Sequence, residues 1–178
     1  MTLLSIIKKD KYKKNQIKIL ILGLDNSGKT SILNNMLGKD QKGVIPTIGF
    51  NIINHKTADK NLNFWDIGGQ LNLRNFWFNY FNDKFNEVLW VIDLSNLMNR
   101  YVENLDEFEK IKKYLINLKL VVVLNKLDLF EGDVEEVKSR IMNDLNLEEL
   151  KTLGIKVEII TSSIFQDNSA LLHTLLEV

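Results

Sequence analysis

Six short apolar runs punctuate the chain, and segments of helical period separate most of them. The runs fall at 16–23, 51–57, 61–66, 87–93, 118–124 and 155–160, lengths typical of strands. Helical patterning covers about 28–37, 70–82, 99–116, 133–145 and 167–177. This alternation predicts an α/β fold: a mostly parallel six-stranded sheet with helices on both faces. The stretch 51–66 has no helix and reads as a hairpin turning near Thr57 to Lys60, so one edge strand is antiparallel. Ahead of the first strand, Leu3, Leu4, Ile6 and Ile7 share one arc of about 160° at helical pitch. Lys8, Lys9, Lys11, Lys13 and Lys14 follow. Residues 1–15 are thus expected to form an amphipathic helix and basic linker, and 16–178 a single domain. In the 70–82 segment the aromatics of Phe76-Trp77-Phe78-Asn79-Tyr80-Phe81 would point all round a helix, so they cannot all face one core.

Composition narrows the partners. Lysine plus arginine and aspartate plus glutamate both total 23, so nothing in the balance draws the chain to nucleic acid or anionic membrane. It has no cysteine, which excludes disulfides, prenylation and palmitoylation. No apolar run is long enough to span a bilayer, and the apolar start lacks a signal-peptide pattern. A cytoplasmic location is expected. Asparagine is frequent but scattered, and neither His55 nor His173 has metal-ligand company.

The chemistry lies at strand ends. Residues 23–30 read Gly-Leu-Asp-Asn-Ser-Gly-Lys-Thr, directly after the first strand. A G-x-x-x-x-G-K-[ST] loop between strand and helix cradles phosphates with backbone N–H groups, here Asp25, Asn26, Ser27, Gly28 and the residues to Ser31. Lys29 can reach the β- and γ-phosphates, and the Thr30 hydroxyl can ligate Mg²⁺. Asn125-Lys126-Leu127-Asp128 ends the fifth strand, in the crevice where open α/β sheets bind ligands. Asp128 can accept from both guanine N1–H and N2–H₂, a donor pair adenine lacks. Asn125 can reach N7, and the Lys126 stem can lie over the base. Asp66 ends the third strand and can hold Mg²⁺ through a water. The Gly69 amide can approach the γ-phosphate, and Gln70 can orient an attacking water. Thr47 follows the single proline, Pro46, and can add its hydroxyl to the metal. Ser162 and Ser163 end the last strand, where a backbone amide can meet guanine O6.

These motifs in this order resemble a Ras-type small GTPase, and the wording GLDNSGKT, PTIGFN and WDIGGQ resembles its ADP-ribosylation-factor-like branch. The resemblance covers nearly the whole chain. It implies a P-loop small GTPase fold binding GTP or GDP with Mg²⁺, and an effector surface built from Phe50, Trp65 and Tyr80. It also implies an exchange factor, a GTPase-activating protein, a monomeric state and a role in intracellular protein or membrane trafficking. The N-terminal helix would make transient, peripheral membrane contact in the GTP form, when the 51–66 hairpin shifts along the sheet and displaces it. The chain departs from the family in places. Thr2 replaces the usual glycine, so N-myristoylation is not expected. The glycines that usually follow the base-site serines are missing from Ile164 to Ser169, and Asn75 stands where proline usually follows Arg74. Gln70 argues for hydrolysis. Asp25, an acid beside the γ-phosphate position, argues for slow hydrolysis, and the alternative is a GTP-dependent scaffold with little or none. No arginine lies near the phosphate loop in sequence, which favours one supplied in trans.

Overall fold

Strict alternation in the central strands builds two cores on one sheet. In β1 (Gln16–Leu22), Leu20 and Leu22 enter one apolar cluster while Ile19 and Ile21 enter the other. In β5 (Lys119–Asn125), Leu120, Val122 and Leu124 face the first cluster, Val121 and Val123 the second. Side chains of period two buried on both faces require helices on both faces. A computed structural model describes residues 15–177 and supplies those helices. The amphipathic helix and linker expected over 1–15 lie, apart from residue 15, outside the described residues.

The elements run β1, α1 (Lys29–Met36), β2 (Phe50–Lys56), β3 (Asn61–Ile67), α2 (Leu71–Arg74), α3 (Trp77–Tyr80) and β4 (Glu87–Asp93). Then follow α4 (Leu97–Lys112), β5, α5 (Val134–Asp144), α6 (Leu147–Thr152), β6 (Val157–Thr161) and α7 (Ser169–Thr174). The six strands lie in the order β2-β3-β1-β4-β5-β6. All neighbours are parallel except β2 and β3, an antiparallel hairpin with Phe50 opposite Ile67 and Lys56 opposite Asn61. The predicted edge hairpin is therefore present, its turn closed by Thr57 and Lys60. Chain order reverses at β1, which lies between β3 and β4. This topological switch opens a crevice at the carboxyl end of the sheet.

Two expectations need correcting. Residues 70–82 do not form one helix but two single turns, α2 and α3, joined through Asn75 and Phe76. The bonds Leu73 N to Gln70 O, Phe76 N to Leu73 O and Asn79 N to Phe76 O show the tighter three-residue spacing that marks a strained or functional segment. Tertiary contacts dictate it. Trp77 is buried edge-on against Trp90 and donates from its indole to the Gly68 carbonyl. Phe76 and Phe78 are left exposed, and Tyr80 joins Phe50 and Trp65. The second miss is α6, whose six residues are too few to announce a period.

Candidate functional site

The loop after β1 wraps inward because two glycines allow it. Gly28, at φ 88°, caps α1, and a β-carbon there would stand 2.2 Å from the Asn125 side-chain nitrogen. No other residue permits that approach. The Lys29 ammonium turns back over the loop and donates to the carbonyls of Gly23 (2.9 Å) and Leu24 (2.7 Å). Burial lowers its pKa to about 8, against the raising influence of Asp66 and Asp25. A buried ammonium at an open helix N-terminus is a strong electrostatic host for phosphate.

Thr30, Thr47 and Asp66 converge from three elements. The Thr30 hydroxyl donates to Asp66 Oδ2 at 2.6 Å, and the Thr47 hydroxyl lies 2.9 Å from that of Thr30 and 3.3 Å from Asp66 Oδ2. Asp66 is fully buried, and its Oδ1 has no hydrogen-bond partner among the described residues. Burial raises its pKa, opposed by the Thr30 hydrogen bond and the Lys29 charge. Two hydroxyls and one carboxylate with a free oxygen form a hard-oxygen donor set. It suits Mg²⁺, which keeps waters and takes phosphate oxygens for the rest of its shell.

Thr30 and Thr47, though not Asp66, line a cleft of about 290 Å³ bounded also by Asp25, Asn26, Gly28, Lys29, Ser31, Gly69 and Gln70. Gly69 presses on the phosphate loop: a β-carbon there would stand 2.5 Å from the Gly23 carbonyl and 2.6 Å from the Asp25 nitrogen. Gln70 precedes α2 at the rim.

The second half of the crevice holds Asn125, Lys126, Asp128, Ser162 and Ser163. Asn125 donates to the Ser27 carbonyl at 2.8 Å, tying the phosphate loop to β5. Lys126, at φ 61°, anchors its ammonium on Asp93. The Ser163 hydroxyl donates to Asp128 Oδ1. Ser162 serves the loop instead, its hydroxyl donating to Asn168 and its carbonyl accepting from the Leu127 amide. The nucleotide- and metal-site candidates other than Thr47 thus lie at or after the carboxyl ends of parallel strands, at one end of the sheet. Phe50, Trp65 and Tyr80 form a separate cluster on the hairpin side, with ring centroids 5.8 to 6.4 Å apart.

Several participants have no motif. Arg74, with a side chain only 1% exposed, donates to the Gly69 carbonyl, Asp25 and Glu103. Arg100 of α4 donates to the Asp25 carboxylate and carbonyl and to Glu103. The arginines that sequence distance separated from the phosphate loop are therefore beside it. Burial would raise the Asp25 pKa, but hydrogen bonds and charge from Arg100, with Arg74, hold it below the ordinary carboxylate range. The Arg100 hydrogen bond takes Glu103 down to about 2. Such partners come from different elements, and only folding reveals them.

Residues 3–176 match the model of the ADP-ribosylation factor family. ADP-ribosylation factor-like protein 2 of Dictyostelium discoideum is 41% identical over 157 residues, covering 85% of this chain and 81% of the relative. ADP-ribosylation factor-like protein 3 of Chlamydomonas reinhardtii is 40% identical over 131 residues, covering 72% and 73%. Among solved structures, the Arl6 BBS3 small GTPase of Trypanosoma brucei, with bound nucleotide analogue GppNp, superposes with a TM-score of 0.72 at 22% identity, covering 90% of this chain and 97% of that one. The mammalian SRP receptor gives 0.73 at 18% identity, covering 90% and 98%. These two likenesses speak to the fold alone.

Proposed function

The chain belongs to the ADP-ribosylation factor family of small GTPases, and from that premise we propose a slow, partner-assisted guanine-nucleotide switch with assigned roles for each residue. The observation that carries the proposal is the meeting of Lys29, Thr30, Thr47 and Gly69 in one cleft, with Asp66 hydrogen-bonded to both threonines. Backbone amides of Asp25 to Ser31 and the Lys29 ammonium bind the phosphates. Thr30 and Thr47, with Asp66 through water, hold Mg²⁺, which when bound neutralises phosphate charge. Asp128 and Asn125 select guanine, with Lys126 across the base and the Ser162–Ser163 segment at O6.

For hydrolysis, Gln70 orients water toward the γ-phosphate and the Gly69 amide stabilises the charge forming there. Arg74 and Arg100 are both engaged by Asp25 and Glu103, which favours an activating arginine supplied in trans. Unassisted turnover is then expected at or below the order of 10⁻⁴ s⁻¹. Loss of the γ-phosphate removes the contacts holding Thr47 and Gly69 and releases both loops. Effectors engage Phe50, Trp65 and Tyr80 in the GTP state, and the output is regulation of protein or membrane trafficking. The protein is cytoplasmic and touches membranes only peripherally, through its N-terminal segment. Among the described residues no helix is long and apolar enough to cross a membrane.

The test is competition among GDP, ADP and xanthosine diphosphate, for the chain as it stands and for Asp128→Asn. We expect GDP to win first and xanthosine diphosphate to win in the variant, because its 2-oxo group accepts from an amide. Unchanged GDP affinity in the variant would remove Asp128 from the base site.

A further inference from the structure

The loop 162–168 contains no glycine, and side-chain amides hold it in place. Asn168 is buried and works in both directions. Its Oδ1 accepts the Ser162 hydroxyl at 2.7 Å, while its Nδ2 donates to the Ser163 carbonyl (2.9 Å) and to Asn35 Oδ1 (2.6 Å). Asn35 lies on α1, the helix that opens with Lys29 and Thr30. Its own Nδ2 donates to the Ile164 carbonyl at 2.9 Å. Two side-chain amides therefore clamp consecutive loop carbonyls onto the phosphate-binding helix.

Fixing these carbonyls fixes more than the loop. A planar trans peptide points its N–H opposite its C=O, so holding the Ser163 and Ile164 carbonyls sets the N–H vectors of Ile164 and Phe165. The Phe165 N–H donates to the Ser163 hydroxyl, and that hydroxyl donates to Asp128. Hydrogen bonds thus run from α1 through Asn35 and Asn168 to the Ser163 carbonyl, and the Ser163 hydroxyl, on the same residue, continues them to the Asp128 carboxylate. Ser162 and Ser163 are wholly buried, so water cannot replace the clamp cheaply.

We propose that Asn35 and Asn168 are positioning residues for guanine recognition. They orient Asp128 through Ser163 and link the base pocket to the phosphate helix, so they set nucleotide residence time and the preference for the 2-amino group. This rests on the guanine reading given above. Neither residue touches the nucleotide.

The experiment compares dissociation of GDP and inosine diphosphate, which lacks only the 2-amino group, from the full chain, Asn35→Ala and Asn168→Ala, with ADP as reference. Asn35 is only partly buried, so Asn35→Ala keeps the test usable where Asn168→Ala fails to fold. Asn34→Ala, one position away on α1, serves as control. The expected result is GDP release faster by about tenfold, the kinetic equivalent of one lost buried hydrogen bond. Inosine diphosphate release should change less, so the GDP preference shrinks while the control is unaffected. Equal acceleration of both nucleotides alongside a lowered melting temperature would reduce the clamp to a brace and overturn the proposal, as would unchanged GDP release in Asn35→Ala. A parent chain that does not prefer GDP over ADP would instead refute the guanine reading itself.

Discussion

Arg74 and Arg100 contact the same two carboxylates but from different environments. The Arg74 side chain is 1% exposed and that of Arg100 23%. Removing the buried partner takes the Gly69 carbonyl's donor away and leaves a buried gap in the cluster, although Arg100 still holds Asp25 and Glu103 and Lys110 still holds Glu107. Truncating one member of a buried charge cluster costs far more than truncating an exposed one. Arg74→Met is expected to destabilise the protein by about 2–3 kcal/mol in urea unfolding, and Arg100→Ala by less than about 1 kcal/mol. Equal effects would mean the Arg74 cluster is no more than a surface network. Gln70 gives a second, chemical contrast. It lines the cleft, so Gln70→Leu should abolish activator-stimulated hydrolysis in single-turnover assays and leave GTP affinity within about threefold. The P-loop, N-K-x-D and D-x-G-G-Q residues could be singled out as candidates because each motif is contiguous and its chemistry follows from residue type. Arg100, Glu103, Asn35 and Asn168 were not. Each acts on a partner dozens of positions away, and an arginine or asparagine on a helix carries no local sign of that.

At the scale of elements, strand type and order were readable and the switch-side helix was not. The near-continuous apolar runs of β1, Ile and Leu, and β5, Leu and Val, are those of central parallel strands buried on both faces. The aromatic run after Gln70 signalled conflict, since six residues on one helix would scatter the rings; the chain resolves it by tightening into α2 and α3, burying Trp77 and leaving Phe76 and Phe78 outside. The opening of β4 holds an unresolved conflict of another kind. Glu87 is fully buried in the sheet, opposite Lys119 of β5, and neither carboxylate oxygen has a hydrogen-bond partner among the described residues. Burial pushes its pKa up to about 7, with Lys119 and Lys156 pulling it down and Glu158 adding to the rise. Because the folded value exceeds the ordinary 4.5, the stability associated with protonated Glu87 is complete below pH 4.5. It is lost as pH climbs through 7. Glu87→Gln, neutral at every pH, should therefore be more stable than the parent at pH 8, by about 2–3 kcal/mol. The advantage should fade as the pH approaches 4.5. Parallel pH–stability curves for the two proteins would show that Glu87 is ionised at no cost.

For the whole molecule, the prediction is that the edge hairpin moves. β3 pairs with β1 on one side, while among the described residues β2 has no strand on its outer edge. The present register puts Gln16 opposite Asn61 and Ile21 opposite Asp66, and it brings Asp66 and Thr47 to Thr30. Phe64 is fully buried in one core while neighbouring Trp65 packs on the other. A one-residue slip of β3 along β1 would exchange those faces, but a two-residue slip preserves them. Two residues are about 6.6 Å of travel, enough to take Thr47 and Gly69 out of reach of a γ-phosphate. Contacts to that phosphate would hold the register described here, and their loss would release it. Trp65 reports the step. It packs against Tyr80 and Phe85, and Lys18 of β1 lies 5.7 Å over its ring. Phe50 travels with it on the hairpin, Trp90 stays in the core, and Trp77 is tied to the moving segment only through the Gly68 carbonyl. Replacing GDP by a non-hydrolysable GTP analogue should shift tryptophan emission in the parent chain, and Trp65→Phe should remove most of the shift, leaving the part that Trp77 reports. The apolar arc of Leu3, Leu4, Ile6 and Ile7 at helical pitch would find cover if the displaced hairpin leaves a groove, and that is the prediction. Amide exchange over residues 2–9 should be slow with GDP and faster by at least about tenfold with the analogue, a difference in opening free energy of about 1.4 kcal/mol. Equal protection in both states, with unchanged Trp65 emission, would make the hairpin a fixed edge and confine switching to the Thr47 and Gly69 loops.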